Sequence, residues 1–116
     1  RTNITEKVKE EPPLPRVILF SFEPFFIPLS GSGKEKDFLK FKISAELDSP
    51  ELKREMNFKL PTLRNSITEM VMEKSKDYFK GQEGKERIKK EMIKMLNFRL
   101  KTGKIKEVYF SQFMIQ

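Results

Sequence analysis

The sequence contains no histidine and no cysteine among its 116 residues. Zinc sites without these ligands are improbable, and both the Ser-His-Asp triad and cysteine nucleophiles are excluded. Disulfides are excluded as well, although the cellular compartment stays open. Carboxylate chemistry through Glu51, Glu55 or Glu86 stays possible, but each of these glutamates has an ordinary explanation as a surface helix residue. Nothing in the composition therefore points to catalysis, and no metal or cofactor is predicted.

Long hydrophobic runs are also absent, since no segment reaches the roughly 18 apolar residues that a membrane span requires. No signal peptide is visible. Charged residues make up 35% of the chain and hydrophobic residues 37%, which predicts a soluble domain with one modest core. The chain begins at Arg1 rather than at methionine, which is compatible with a fragment of a longer protein that has an anchor upstream.

Positive charge is in excess, and most of the excess lies in one segment. The net charge is +7, and residues 80–104 contain nine basic and three acidic groups. Residues 1–37 contain six of each, and residues 38–79 contain eight and seven. A basic segment suits nucleic acid, an anionic lipid or an acidic protein surface. A solvated helix face is the more common explanation of such a charge run.

The most regular stretch of the chain is Phe38 to Asp48. One parity is apolar and the other is polar: Leu39, Phe41, Ile43, Ala45 and Leu47 alternate with Lys40, Lys42, Ser44 and Glu46. Successive side chains of a strand point to opposite faces, so this pattern predicts a half-buried strand. A helix is predicted to cover its apolar face and to begin directly afterwards, with Ser49 as N-cap and Pro50 at the first helical position.

A second strand is predicted over residues 17–29, which are rich in β-branched and aromatic residues. Pro24 and Pro28 interrupt it, and proline cannot donate to a sheet, so we expect a bend, a bulge or an edge strand. A glycine-containing loop then leads to the central strand, which predicts an antiparallel hairpin. Residues 1–16 are polar and proline-rich, which indicates a linker or arm before a single domain over residues 17–116.

Three helices are predicted between the hairpin and the end of the chain. The first is short, reaches about Lys59 and is ended or kinked by Pro61. The second has an apolar stripe that runs from Leu60 to Tyr78. The third covers about residues 83–102, with Gly103 as its C-cap. Its apolar face consists of Ile88, Met92, Met95 and Leu96, and Arg87, Lys90, Lys94 and Lys101 lie nearly opposite.

The last predicted strand, residues 105–115, has apolar side chains on both parities. It is therefore covered on both faces or contains a β-bulge. Tyr109, Phe110 and Phe113 are expected to pack in the core rather than to stack on nucleic-acid bases. The order ββ-ααα-β predicts an α+β two-layer sandwich, in which the helices lie on one face of a small sheet.

Several of these segments together resemble a known family. They are DFLKFKISAEL, LPTLRNSITEMV, GQEGKERIKKEMIKMLN and the ending IKEVYFSQFMIQ. From about residue 20 onward the chain resembles FliL, the flagellar basal-body-associated family. One motif is Pro61, Leu63 and Arg64, and the other is Val108, Tyr109, Phe110, Ser111, Phe113, Met114, Ile115 and Gln116. One departure is that many relatives have Asn-Leu where this chain has Pro28-Leu29.

The resemblance implies a place and a role. Family members have a short cytoplasmic tail, one transmembrane helix and a periplasmic domain of the stomatin/prohibitin type, whose relatives assemble into rings. They are located in the bacterial inner membrane at the flagellar basal body, where they associate with the stator proteins MotA and MotB and support torque and motility. The anchor would then lie upstream of Arg1, and residues 1–15 would be the juxtamembrane linker. The resemblance implies no catalysis, no small-molecule substrate and no nucleic acid.

The charge distribution predicts how such a ring would form. Basic residues of the last helix, namely Lys85, Arg87, Lys90 and Lys94, are predicted to contact acidic groups such as Glu51 and Glu55 on the next copy. A head-to-tail contact of this kind closes into a ring when the rotation permits.

A basic nucleic-acid-binding module is the alternative function. It requires aromatic side chains exposed among the basic residues, and the only aromatic residue of the last helix is Phe98.

Arg64 is expected to make an ordinary surface or capping contact.

Overall fold

The computed structural model describes residues 16–31 and 36–116, and the predicted arm of residues 1–16 lies almost entirely outside them. The elements, in chain order, are β1 (Ile18–Ser21), β2 (Phe25–Pro28), β3 (Phe38–Leu47), α1 (Glu51–Phe58), α2 (Leu60–Met72), a short 3-10 helix (Lys76–Phe79), α3 (Gly81–Arg99) and β4 (Ile105–Ile115). This architecture confirms the predicted α+β fold with a small antiparallel sheet and three helices.

β3 is the central strand of the sheet. β1 pairs antiparallel with its last residues and β2 with its first residues, so these two short strands lie in line along one edge. β4 pairs antiparallel with the other edge. The predicted hairpin is therefore confirmed, and the predicted interruption falls at residues 22–24, where Pro24 cannot donate to the ladder.

Two irregularities in β4 explain its apolar residues on both parities. The pairing register shifts between Lys42 and Ile43 and again between Glu46 and Leu47 of β3, which leaves Ser111 and Lys106 of β4 without partners. Each extra residue reverses the alternation that follows it. As a result, the residues paired with the buried face of β3 are Ile105, Val108, Phe110, Phe113 and Ile115. Of the two alternatives predicted for this strand, cover on both faces or a bulge, the bulge is the one observed.

Tyr109 does not join this core. Its side chain lies on the outer face of the sheet opposite Ser44 and is about half exposed, and its hydroxyl donates to Glu46 Oε1 at 2.6 Å. The expectation that Tyr109 packs in the core is therefore wrong, whereas Phe110 and Phe113 are partly buried against the core. The reason is the bulge at Ser111, which separates the parity of Tyr109 from that of Phe113.

The core lies between the apolar face of the sheet and the three helices. Phe41 and Ile43 of β3 are fully buried, in one cluster with residues of all three helices. The cluster includes Leu52, Met56, Leu63, Ile67, Val71, Ile88, Met92 and Leu96. Within the described part of the chain, no helix is long and apolar enough to cross a membrane.

The helices differ from the prediction at their ends. α2 stops at Met72, and Tyr78 belongs to the following 3-10 helix rather than to the same stripe. α3 begins at Gly81, which has a φ of 67°, a conformation that favours glycine. It ends at Arg99, because Leu100 adopts an extended backbone and buries its side chain. Lys101 therefore lies beyond the helix and not on its basic face.

Gly103 and Ser49 are not helix caps. Gly103 lies four residues past the end of α3, and a Cβ there would lie 2.6 Å from Asp48 Oδ1 and 2.7 Å from Ser49 Oγ. Ser49 Oγ donates to the carbonyl oxygen of Thr102 at 3.2 Å instead of accepting from the first turn of α1. The segment after α3 therefore lies close against the start of α1. Gly103 allows this contact because it has no Cβ, and Ser49 stabilises it with a hydrogen bond.

Candidate interaction surfaces

Three of the four predicted basic interface residues share one face of α3. Arg87, Lys90 and Lys94 are all exposed, on the side of the helix away from the core. Lys85 precedes Arg87 by two positions, which places the two side chains about 200° apart round the helix. The Lys85 ammonium instead lies 5.1 Å from the centre of the Phe113 ring, toward the sheet. The basic face thus consists of Arg87, Lys90 and Lys94.

Arg87 also has a role inside the domain. Its guanidinium donates to the carbonyl oxygen of Tyr78 at 2.6 Å and lies 5.1 Å from the centre of the Tyr78 ring. The Tyr78 hydroxyl donates to Glu91, whose carboxylate also binds the Lys74 ammonium at 3.2 Å. Burial, together with the hydrogen bond to the charged Glu91, raises the pKa of Tyr78 to about 12. Arg87 therefore joins the start of α3 to the 3-10 helix.

The two predicted acidic interface residues differ in their availability. Glu51 is exposed in the first turn of α1. The Glu55 side chain is only 9% exposed, and its carboxylate accepts hydrogen bonds from the Lys59 ammonium, the Thr102 hydroxyl and the backbone N–H groups of Lys101 and Thr102. Glu55 is thus occupied within the domain, whereas Glu51 is free to meet a partner.

The hydrogen bonds to the Glu55 carboxylate favour its charged form. Desolvation by burial would raise its pKa, but the hydrogen bonds from Lys59, Thr102 and Lys101 outweigh desolvation and lower the pKa to about 2. The role of this carboxylate is to satisfy backbone N–H groups of the segment that leads from α3 to β4. A satisfied, low-pKa carboxylate of this kind is a poor general acid or base at neutral pH.

Two further side chains bind the end of this segment, residues 100–104, and the first residue of β4, Ile105. Asp48 Oδ1 accepts from the Lys104 N–H at 2.8 Å. The Asn97 amide exchanges two hydrogen bonds with the backbone of Ile105, at 2.7 and 3.1 Å. Three side chains from three places in the sequence therefore determine the path between α3 and β4.

Arg64 makes a contact that is more specific than the expected surface or capping role. Its guanidinium donates to the carbonyl oxygens of Glu23 and Pro24 at 2.7 and 3.0 Å. The same group lies 3.9 Å from the centre of the buried Phe25 ring. Arg64 thus satisfies the backbone where proline interrupts the edge strand, which is an architectural role.

Two phenylalanines are the most exposed large hydrophobic residues in the part of the chain that the structure describes. Phe58 at the end of α1 is 86% exposed, and Phe98 near the end of α3 is 87% exposed. The sequence prediction missed them as surface residues. A signal existed, because each follows a buried helix residue by two positions, Met56 and Leu96 respectively. Two positions correspond to about 200° round a helix, so these side chains must point away from the core.

Open grooves adjoin both phenylalanines. One of about 660 Å³ is lined by Pro50, Glu51, Arg54, Glu55, Phe58 and Thr102. Another of about 630 Å³ is lined by Met70, Glu91, Lys94, Met95, Asn97, Phe98 and Lys104. Both linings combine charged side chains with apolar ones. Among residues 16–31 and 36–116, no group of three acidic side chains is placed to hold a metal ion.

The nucleic-acid alternative receives little support from the surface of α3. It requires several aromatic side chains exposed among the basic residues, and α3 exposes one, Phe98. Phe98 follows Lys94 by four positions, so the basic face of α3 adjoins one exposed aromatic ring rather than several.

A family model described as "Flagellar basal body-associated protein FliL" matches residues 19–116. This match covers almost all of the sheet and all three helices.

Two curated relatives are similar over much of the chain. The "Flagellar protein FliL" of Aquifex aeolicus is 30% identical over 99 residues, which are 85% of this chain and 62% of the relative. The protein of the same name from Bacillus subtilis is 28% identical over 83 residues, 72% of this chain and 59% of the relative. The chain thus spans about three-fifths of the length of the relatives that it matches.

Proposed function

This chain belongs to the FliL family of flagellar basal-body-associated proteins, and from that premise we propose that it is a non-enzymatic accessory of the flagellar motor that associates with the MotA/MotB stator. The observation that carries the proposal is the family match over residues 19–116. In this proposal residues 17–116 are one periplasmic domain, residues 1–16 are a juxtamembrane arm, and an upstream helix anchors the protein in the inner membrane.

The structure supports different roles for the family motifs, which stabilise the fold, and for the exposed faces, which would bind partners. The motif residue Arg64 holds the interrupted edge strand, and Phe110 and Phe113 of the terminal motif pack against the core. The motifs are therefore largely architectural. Recognition of partners then falls to exposed faces, of which the basic face of α3 is one.

Deletion of the gene tests the motor role. We expect cells that still assemble flagella but rotate them with less torque, because stator support acts on rotation rather than on filament building. Rotation speed under viscous load reports torque, and electron microscopy reports filament number. Complete loss of filaments in an in-frame deletion that a plasmid copy restores would contradict the proposal.

For self-assembly we propose a head-to-tail contact between the basic face of α3 and acidic groups such as Glu51 on the next copy. Glu55, whose carboxylate is already satisfied, would act indirectly by holding α1 in place. Exposed ion pairs contribute about 0–1 kcal/mol each. We therefore expect the separate domain to be monomeric in dilute solution and to form rings only where an anchor raises its effective concentration.

Charge reversal tests this contact. Changing Lys90 and Lys94 to Glu in the full-length protein should abolish ring formation at the motor while the domain keeps its thermal transition, because both side chains are exposed. Adding Arg87→Glu should also lower stability, since Arg87 binds Tyr78. A matched control changes Lys76 and Lys80 to Glu. Both are exposed and precede the N-terminus of α3. Normal rings with the folded Lys90/Lys94 variant would place the interface elsewhere.

A further inference from the structure

Phe58 and Phe98 lie at the same end of the molecule. The Lys59 ammonium, next to Phe58 in sequence, donates to the carbonyl oxygen of Arg99, next to Phe98, at 2.8 Å. Helices α1 and α3 therefore end side by side. An aromatic side chain that is almost fully exposed contributes nothing to the hydrophobic core. Two of them at one end therefore indicate a surface that contacts something outside the domain.

The chain also enters the domain at this end. Ile18, the first residue of β1, pairs with Leu47 at the end of β3, and Leu47 pairs with Ile105 at the start of β4. The segment 100–104 lies there too, between α3 and β4. Any part of the protein that precedes residue 16 is therefore joined to the domain at the end that exposes the two phenylalanines.

Cations surround the two rings. Arg54, Lys59, Lys94, Arg99, Lys101 and Lys104 lie at this end, together with the carboxylates of Asp48, Glu51, Glu55 and Glu91. Six positive charges face four negative ones. Asp48 and Glu55 already accept from backbone N–H groups, and Glu91 accepts from Tyr78 and Lys74. Lys59 pairs with Glu55, and the other five cations make no ion pair within the described residues. We name this surface, Arg54, Phe58, Lys59, Phe98, Arg99, Lys101 and Lys104, the basic-aromatic end.

We propose that the basic-aromatic end docks on an anionic lipid surface, with Phe58 and Phe98 inserted at the boundary between headgroups and acyl chains. Lysine and arginine beside exposed phenylalanine are the combination that binds such interfaces. A bilayer offers both kinds of contact at once, anionic headgroups for the cations and acyl chains for the two rings. The proposal does not depend on the motor function, because it concerns this chain and lipid alone.

Vesicle co-sedimentation of the 116-residue chain tests the proposal. We expect binding to vesicles of phosphatidylcholine mixed with phosphatidylglycerol, and almost none to phosphatidylcholine alone. Binding should weaken as salt is raised, because the headgroup attraction is screened within about 10 Å at 0.1 M salt. Absence of binding to the anionic vesicles at low salt would overturn the proposal and would leave the end as a protein-docking surface.

Matched variants separate the two phenylalanines from general stickiness. Phe58→Ser with Phe98→Ser should lower the binding constant about tenfold or more. The control pair, Leu19→Ser with Phe26→Ser, removes exposed apolar groups from the outer face of the sheet and should change it less than about twofold. Equal effects of the two pairs would contradict insertion at this end.

A second comparison separates the local charges from the net charge. Arg99→Gln with Lys101→Gln should weaken binding more than Lys76→Gln with Lys80→Gln, although both pairs remove two positive charges. Lys76 is the first residue of the 3-10 helix and Lys80 follows its last residue. The neighbouring Ser75 bridges to Ser30 beyond the other end of the sheet. Equal weakening by both pairs would show that the whole molecule, and not this end, is attracted to the vesicles.

Fluorescence locates the contact directly, since the chain contains no tryptophan. Phe98→Trp introduces one indole at the basic-aromatic end, and Phe26→Trp introduces one on the outer face of the sheet. With anionic vesicles we expect a blue shift and quenching by brominated acyl chains for Phe98→Trp only. A variant that sediments with the vesicles but shows neither change at position 98 would overturn the proposed insertion.

Discussion

Glu55 illustrates how one side chain can decide the path of a distant segment. Its carboxylate accepts from two consecutive backbone N–H groups, those of Lys101 and Thr102, about 46 positions away in sequence. A hydrogen bond to a charged group contributes about 1.5–3 kcal/mol, so the loss of this acceptor would loosen the segment between α3 and β4. The pKa of about 2 follows from the same bonds.

Glu55→Gln should therefore destabilise the domain by about 2 kcal/mol at pH 7. The folded-state pKa lies below the unfolded value, so the stabilisation by Glu55 is fully present above about pH 5 and is lost as the pH falls toward 2. Urea unfolding of the parent and the variant should thus give curves that converge as the pH is lowered. Glu51→Gln, at an exposed position, is the control and should change stability by less than about 0.5 kcal/mol.

Among the elements, the interrupted edge strand shows the closest cooperation between sheet and helix. Pro24 removes a ladder donor, and the carbonyl oxygens of Glu23 and Pro24 turn instead to Arg64 of α2. The Arg64 guanidinium also covers the Phe25 ring. The planar fork of arginine can bind two carbonyl oxygens and stack on an aromatic ring at the same time, which a lysine ammonium cannot do.

Arg64→Lys should accordingly lower the free energy of unfolding by about 1–2 kcal/mol, because one carbonyl oxygen loses its donor and the ring loses its cover. Hydrogen exchange should quicken first at the amides of β2. Arg54→Lys on α1 is the matched control, since Arg54 is exposed, and it should leave both measurements nearly unchanged. Equal exchange rates in the two variants would contradict the proposed role of Arg64.

On the scale of the whole molecule, the sheet has one face toward the helices and one toward solvent. Phe41 is fully buried on the first face, stacked 4.7 Å from Phe25. Phe26 lies on the second face, stacked at the same distance on Phe38, and is 56% exposed. The same aromatic pairing therefore occurs twice, once inside the core and once outside it.

This pair of rings allows a direct comparison of burial. Phe41→Ala should cost about 3–5 kcal/mol, because it opens a cavity in a closely packed core. Phe26→Ala should cost about 1 kcal/mol, since mainly the stacking on Phe38 is lost. Chemical denaturation of both variants checks the difference. A loss below about 1 kcal/mol for Phe41→Ala would mean that the core tolerates the cavity and that the apolar face of β3 is not the centre of the fold.

The sequence alone determined the features that depend on near neighbours. The alternation of residues 38–48 predicted β3 because the side-chain period of a strand is two. Pro24 and Pro28 predicted the broken edge strand because proline lacks an N–H. The mixed parity of residues 105–115 predicted a bulge or cover on both faces, and the order of the elements predicted the α+β sandwich. Each of these signals comes from local backbone geometry, which acts within a few residues.

Only the tertiary structure decided which distant groups meet. Glycine and serine are common helix caps, but Gly103 and Ser49 do not cap a helix here. The segment after α3 approaches the start of α1, and this approach gives both residues other neighbours. From the sequence alone, Glu55 and Arg64 have the pattern of surface helix residues. The fold brings a backbone N–H group to Glu55 and a backbone carbonyl oxygen to Arg64. Unpaired N–H and carbonyl groups must find partners wherever the chain is buried, and a linear pattern does not record which side chains will be within reach.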